Sequence, residues 1–143
     1  AGVSFEIVPG ISSAFSVPAI AGIPVTHRRI ARAVTVVTGH CEDPNESVDW
    51  SAHAKTGATL VVLMGTANLP TIAADLLSAG MTPSTPVAII HNGTRVDQTI
   101  SRLTLAEAHL AEAQAPSIIV IGETAGLDLR DPNTVHDLIT TGR

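Results

Sequence analysis

Apolar, β-branched runs recur along the chain, separated by stretches whose apolar positions follow a helical period. The runs predict strands at Phe5–Val8, Val34–Thr38, Thr59–Met64, Val87–His91 and Ser117–Ile121. TLVVLM and SIIVIG are continuous rather than alternating, so both faces of those strands are buried, as in a sheet covered by helices on each side. The polar stretch Thr94–Ser101 alternates better and follows Asn92-Gly93, a turn that tolerates positive φ; it predicts an antiparallel partner for the Val87 strand. Helices are predicted at Ser12–Ala21, Asp49–Ala54, Asn68–Ala79 and Thr104–Ala113. The last opens on T-L-A-E, a capping box between Thr104 and Glu107. Asp49 suits an N-cap and Gly80 a C-cap. Cys41–Ser47 is polar, contains Pro44 and reads as a loop, and Asn133–Thr141 reads as a terminal helix. The expected fold is α/β: an αβα sandwich on a mixed, mostly parallel sheet of five or six strands. The chain opens on a strand with no helix before it, which suggests a domain cut from a longer polypeptide.

Composition narrows the class. A length of 143 residues suits a single domain, residues 1–143, burying roughly two-thirds of its unfolded surface. With 45% hydrophobic but only 2% aromatic residues, the core must be aliphatic. Charged residues are 15%, below the usual quarter, so a partner covers part of the surface or the surface is unusually apolar. Eight basic residues against thirteen acidic ones, with no basic stripe interleaved with aromatics, argue against nucleic-acid binding. No apolar run approaches the roughly 18 residues that span a bilayer, so no membrane partner is expected. The lone Cys41 cannot form an intramolecular disulfide and fits a reducing cytoplasm.

Candidate chemistry gathers at strand ends. G-I-S-S-A, Gly10 to Ala14, puts two hydroxyls between a strand and a helix. Ser12 or Ser13 can simply cap that helix, or the pair can face an anionic group at its N-terminus. The motif is one residue from the nucleophile elbow G-x-S-x-G, which makes a serine hydrolase with Ser12 and His136 a minor alternative. T-H-R, Thr26 to Arg28, could bind carboxylates through a bidentate arginine. In L-M-G-T, Met64-Gly65 ends a buried strand, where a glycine would let a flat ligand approach. H-N-G-T, His91 to Thr94, closes another strand and by default is a turn. Phosphate-loop and dinucleotide motifs are absent, and His40-Cys41 lacks partners at metal spacing, so no metal is expected. In a mostly parallel sheet the serines, Met64-Gly65 and Gly93-Thr94 would line one cleft.

The combination F-E-I-V-P-G-I-S-S-A, A-G-I-P-V-T-H-R, V-V-T-G-H, T-L-V-V-L-M-G, T-P-V-A-I-I-H-N-G-T and P-S-I-I-V-I-G-E resembles the uroporphyrinogen-III C-methyltransferases, in order and at least to Leu127. That resemblance implies the C-terminal one of two α/β domains, between which S-adenosylmethionine binds. It implies methylation of uroporphyrinogen III at C2 and C7 to precorrin-2, toward sirohaem and cobalamin. By position, Ser12, Ser13, Met64 and Gly93 match the family's cofactor contacts, with Ala88 and Thr94 close to the same ligand. His27 and Arg28 are expected to meet the acetate and propionate arms of the substrate. The family's N-terminal domain, with its glycine-rich loop and its acid–base residues, has no counterpart here, so no catalytic residue is assigned. A homodimer is expected. A domain of this fold kept for binding or dimerisation without turnover is the competing reading.

Overall fold

The computed structural model describes residues 2–40 and 48–141. The expected loop Cys41–Ser47, with Cys41 itself, lies outside the described residues. Five strands form one sheet: β1 (Val34–Thr38), β2 (Thr59–Leu63), β3 (Pro86–His91), β4 (Thr99–Thr104) and β5 (Ser117–Ile121), in the order β1-β2-β5-β3-β4. β1 and β2 pair in parallel, with Val36 opposite Val61. β5 runs antiparallel between β2 and β3, and β4 runs antiparallel along the outer side of β3. The sheet is mixed, as expected, and β1, β2 and β3 share a direction. "Mostly parallel" does not describe its pairing, because three of the four ladders are antiparallel. The loop over residues 92–98 is too short for a crossover helix, so β4 must return antiparallel. The connection over residues 105–116 then carries the chain across β3, and β5 keeps the direction of β4.

Both faces of the continuous apolar strands are covered. Leu60 and Val62 of β2, Ile89 of β3 and Ile119 of β5 meet Leu69, Ile72 and Leu76 of α3 (Leu69–Ser78) in one cluster. The alternate residues Val61, Ala88, Ile90 and Val120 meet Ala14 and Val17 of α1 (Ser13–Ile20) in a second. The period of two along each strand thus deals successive side chains to opposite layers. Each fully buried Leu or Ile contributes about 1.5–3 kcal/mol of burial free energy. α2 (Trp50–Ala54) is capped by Asp49, which accepts from the Ala52 N–H at 3.0 Å, and flanks α3. α4 (Pro132–Thr140) carries no buried residue.

Three expectations are corrected. Phe5–Val8 forms no strand: it makes no backbone hydrogen bond to another segment among the described residues, and Phe5, Ile7 and Val8 are about four-fifths exposed. The sheet therefore has five strands. Thr94–Ser101 is not the hairpin partner as drawn; the loop occupies 92–98 and the strand is Thr99–Thr104. Finally, Thr104–Ala113 is not an α-helix. Glu107 does reach back to the Thr104 N–H and hydroxyl, each at 2.8 Å, but only a 3-10 turn at Ala108–Leu110 follows. The Leu105 N–H is taken by the Thr85 carbonyl, and Ala115 precedes a proline, which disfavours helical geometry there.

Candidate functional site

Since β2 and β3 point the same way, Leu63 and His91 end on one rim of the sheet, and β5 begins there at Ser117. α1 opens over the same rim. Its first residue, Ser13, borders two adjoining hollows. The larger, about 410 Å³, is walled by Leu63, Met64, Thr66 and residues 115–118. The smaller, about 180 Å³, is walled by Val17, Ile90, Asn92, Gly93, Arg95 and residues 116–118. The lining is mainly apolar, with hydroxyls from Ser13 and Ser117.

The two serines divide the work that the sequence left open. Ser12 is the cap: its Oγ accepts the Ala14 N–H at 3.3 Å, and its carbonyl accepts from Phe15 and Ser16. Ser13 is the one whose residue faces the hollows. Ser12 has no hydrogen bond to His136 among the described residues. The segment leading into α4 is fastened at the other end of α1, where the Leu129 N–H donates to the Gly22 carbonyl at 2.8 Å. No serine–histidine nucleophile is assembled from that pair.

Backbone strain marks this rim. Four non-glycine residues among those described have positive φ, and three of them, Met64 (53°), Asn92 (49°) and Thr94 (74°), stand on the two loops around the hollows. Each costs on the order of 1–3 kcal/mol, and such strain persists only where surroundings over-determine it. For Met64 the surroundings are clear. Asn68 donates its N–H to the Gly65 carbonyl and its Nδ2 to the Gly39 carbonyl at 2.7 Å, tying the loop after β2 to the end of β1. Met64 is left 66% exposed, so its side chain is offered to whatever fills the hollow. On the other loop, Asn92 Nδ2 donates to Asp97 and Gln98 Oε1 accepts the Thr94 N–H, both at 2.8 Å.

The glycines act differently from what their positions suggest. A Cβ at Gly65 would lie 2.6 Å from Val62 Cγ1, and one at Gly93 would lie 2.5 Å from Val17 Cγ1. Their missing side chains make room for the protein's own packing, not for a ligand from outside. Gly93 still lines the smaller hollow through its backbone. Thr94 is exposed and borders neither hollow. Ala88 is fully buried beneath α1, a floor rather than a wall. His27 and Arg28 are not brought to the rim. His27 pairs with Ala31, and Ala31 packs beside Gly57, Thr59 and Gly122 at the opposite end of the strands. The His27 Nδ1 lies 2.9 Å from the Arg28 carbonyl.

The sequence reading missed Pro116, Ser117 and Arg95. Ser117 looked like the polar start of a strand; only the antiparallel insertion of β5 puts it between the ends of β2 and β3. It is held in place by donating to the Gln114 carbonyl, which His91 Nδ1 also meets at 3.1 Å, while the Asn92 N–H donates to the Pro116 carbonyl. At the far end of α1, Asp128 pairs with Arg130 at 2.6 Å and with Arg102 at 3.5 Å. The hydrogen bond from the Arg130 side chain, above all, holds the Asp128 carboxyl down at about 2. No group of three metal-ligating side chains and no helix long and apolar enough to cross a membrane occurs among the described residues.

Comparison with known proteins places this geometry. Residues 1–109 match the model of the Tetrapyrrole (Corrin/Porphyrin) Methylases. The chain is 49% identical over 132 residues to an S-adenosyl-L-methionine-dependent uroporphyrinogen III methyltransferase of Methanosarcina barkeri, covering 87% of this chain and 51% of that protein. It is 46% identical over 129 residues to siroheme synthase 1 of Yersinia enterocolitica, covering 89% of this chain and 27% of that one. The uroporphyrin-III C-methyl transferase of Thermus thermophilus, solved in complex with S-adenyl homocysteine, superimposes with a TM-score of 0.74 at 30% identity, over 86% of this chain and 54% of its own. The chain thus spans about half the length of the methyltransferases it matches and about a quarter of the siroheme synthase. On its sequence match and its fold, this chain belongs to the tetrapyrrole methylase family.

Proposed function

We propose that the chain supplies one wall of an S-adenosylmethionine-dependent methyltransferase, and that the whole protein methylates uroporphyrinogen III at C2 and C7 to precorrin-2. The observation that carries this reading is the convergence of Ser13, Met64 and Gly93 on adjoining hollows at one sheet rim. Their size and lining suit the cofactor: soft apolar surface from Met64, Ile118 and Pro116 for a flat heterocycle, with Ser13 and Ser117 hydroxyls for its polar groups. Ser12 supports from behind as the cap of α1, and Ala88 as the floor. Thr94, beside Gly93, lies outside both hollows and would meet the cofactor only beyond them.

When bound, the cofactor supplies an electrophilic sulfonium methyl for a nucleophilic pyrrole carbon. The chain's own residues bind and orient the cofactor and exclude water on one side. The family's glycine-rich half, which this chain resembles no part of, would close the other side and bring the acid–base groups. The chain corresponds on this reading to the C-terminal half. His27 and Arg28 were expected at the substrate's carboxylates, but they stand at the opposite rim and would have to act outside the hollows described. A cytoplasmic setting fits the lone cysteine. A homodimer is favoured by the exposed apolar residues Phe15 and Leu129, which line an apolar hollow of about 510 Å³ at the far end of α1.

Calorimetry with S-adenosylhomocysteine tests the reading, on the chain alone and complemented by the glycine-rich half of the Methanosarcina barkeri relative. Binding that appears or tightens on complementation is the expected result. No heat in either condition would overturn it and favour a non-catalytic module.

A further inference from the structure

Resting on that cofactor and substrate reading, we propose that Arg95 is the residue of this chain that takes a ligand carboxylate at the mouth of the smaller hollow. Neither hollow has any other charged residue in its lining, so Arg95 faces no acidic competitor from the walls. Its side chain is 69% exposed, and Nε donates to Asp97 Oδ1 at 3.4 Å. The other Asp97 oxygen is engaged by Asn92 Nδ2 at 2.8 Å. Asp97 therefore holds the guanidinium from its Nε side. Among the described residues, no hydrogen bond is made by the two terminal nitrogens. Those nitrogens form the fork that matches a carboxylate bidentately.

The loop presenting Arg95 is fixed rather than loose. The Arg95 N–H donates to the Asn92 carbonyl at 3.0 Å, the Gln98 N–H donates to the Arg95 carbonyl at 3.2 Å, and Gln98 Oε1 pins Thr94. This loop stands where β3 ends, at the rim shared with Ser13 and Met64, whereas His27 and Arg28 lie at the other rim. The carboxylate can come from the methionine moiety of the cofactor or from an acetate or propionate arm of the macrocycle. The chemistry is the same, and the test separates the two.

Arg95→Gln and Asp97→Asn are compared with the wild-type chain, each complemented by the glycine-rich half. Three probes are used: S-adenosylhomocysteine, 5′-methylthioadenosine (the same nucleoside thioether without the amino-acid carboxylate) and uroporphyrin III. If the cofactor is the source, Arg95→Gln weakens S-adenosylhomocysteine roughly ten- to hundred-fold and leaves 5′-methylthioadenosine unchanged, as loss of one charge-assisted pair requires. If the macrocycle is the source, uroporphyrin III weakens and both adenosine ligands hold. In either case Asp97→Asn moves the same ligand the opposite way, by a few-fold, because the guanidinium is no longer shared. The Arg95-dependent difference shrinks at high salt. The proposal is overturned if Arg95→Gln changes no probe by more than about two-fold, or weakens all three equally, the mark of a merely structural role. If the wild type binds none of the probes, the methyltransferase reading falls and this one with it.

Discussion

A methyl group added at Gly93 would land on α1. The added carbon would sit 2.5 and 2.7 Å from the two Val17 methyls and 3.1 Å from its Cβ. Unstrained carbon contacts lie near 3.5–4.0 Å, so about 1 Å of separation must be recovered at each methyl. Gly93 is not among the positive-φ glycines, so the cost of Gly93→Ala is steric and not conformational. A helical valine is stiff at χ1 and cannot swing away, and Val17 is 6% exposed, so either α1 or the 92–98 loop must shift. Overpacking of this kind costs about 1–3 kcal/mol, and each kcal/mol lowers Tm by roughly 4 °C in a domain of this size. Val17→Ala alone removes two buried methyls, costing about 1–2 kcal/mol. The double variant removes the two shortest contacts and leaves the one at 3.1 Å to the residue 17 Cβ, so its loss should be at least ~1 kcal/mol smaller than the sum of the single losses. Urea denaturation of the four proteins measures this. Additive losses, or a neutral Gly93→Ala, would show that the glycine serves ligand approach alone and that the packing argument is wrong.

Three further outcomes follow from other parts of the molecule. Met64→Gly relieves a left-handed residue whose side chain is largely exposed, so it should raise stability by about 0.5–1 kcal/mol while weakening S-adenosylhomocysteine binding; a loss of stability would mean the Met64 side chain packs after all. Asp128 has a folded-state pKa lowered to about 2, so its contribution is complete above about pH 4 and disappears as pH falls through 4 toward 2. Because Arg130 is half-exposed, that contribution is no more than about 1–2 kcal/mol, and Asp128→Asn should flatten the Tm-against-pH curve in that window. The buried hydroxyls of Thr59 and Thr124 hydrogen-bond at 2.7 Å; Thr124→Val strands the first and should cost about 1–3 kcal/mol, most of which Thr59→Val added to it should restore, measured by denaturant titration.

Legibility in the sequence followed burial. β1, β2, β3, β5 and the four α-helices are where the patterning puts them, within a residue or so, since long apolar runs and caps such as Ser12 and Asp49 state their structure locally. The errors fall where a local preference met a distant partner. Phe5–Val8 has strand composition but no strand beside it. The alanine-rich 105–113 stretch prefers helix, yet Leu105 and Ala108 are anchored in the core under α3 and the chain must reach Pro116. Ser13, Met64 and Gly93 could be named in advance. Ser117 and Arg95 could not, because Ser117 opens a buried strand and Arg95 stands just beyond the H-N-G-T motif, and only the insertion of β5 places both at one hollow.

Taken alone, the order of residues determined which segments are apolar on both faces, where helices begin, and which short motifs mark the family. What it could not determine was the insertion of β5 against the grain of β2 and β3. That single topological choice depends on which backbone donors and acceptors find partners across more than twenty residues of chain, a long-range balance that no local pattern encodes. It brings Ser117 between the ends of β2 and β3, on the rim that α1 covers and opposite to the one where His27 and Arg28 stand.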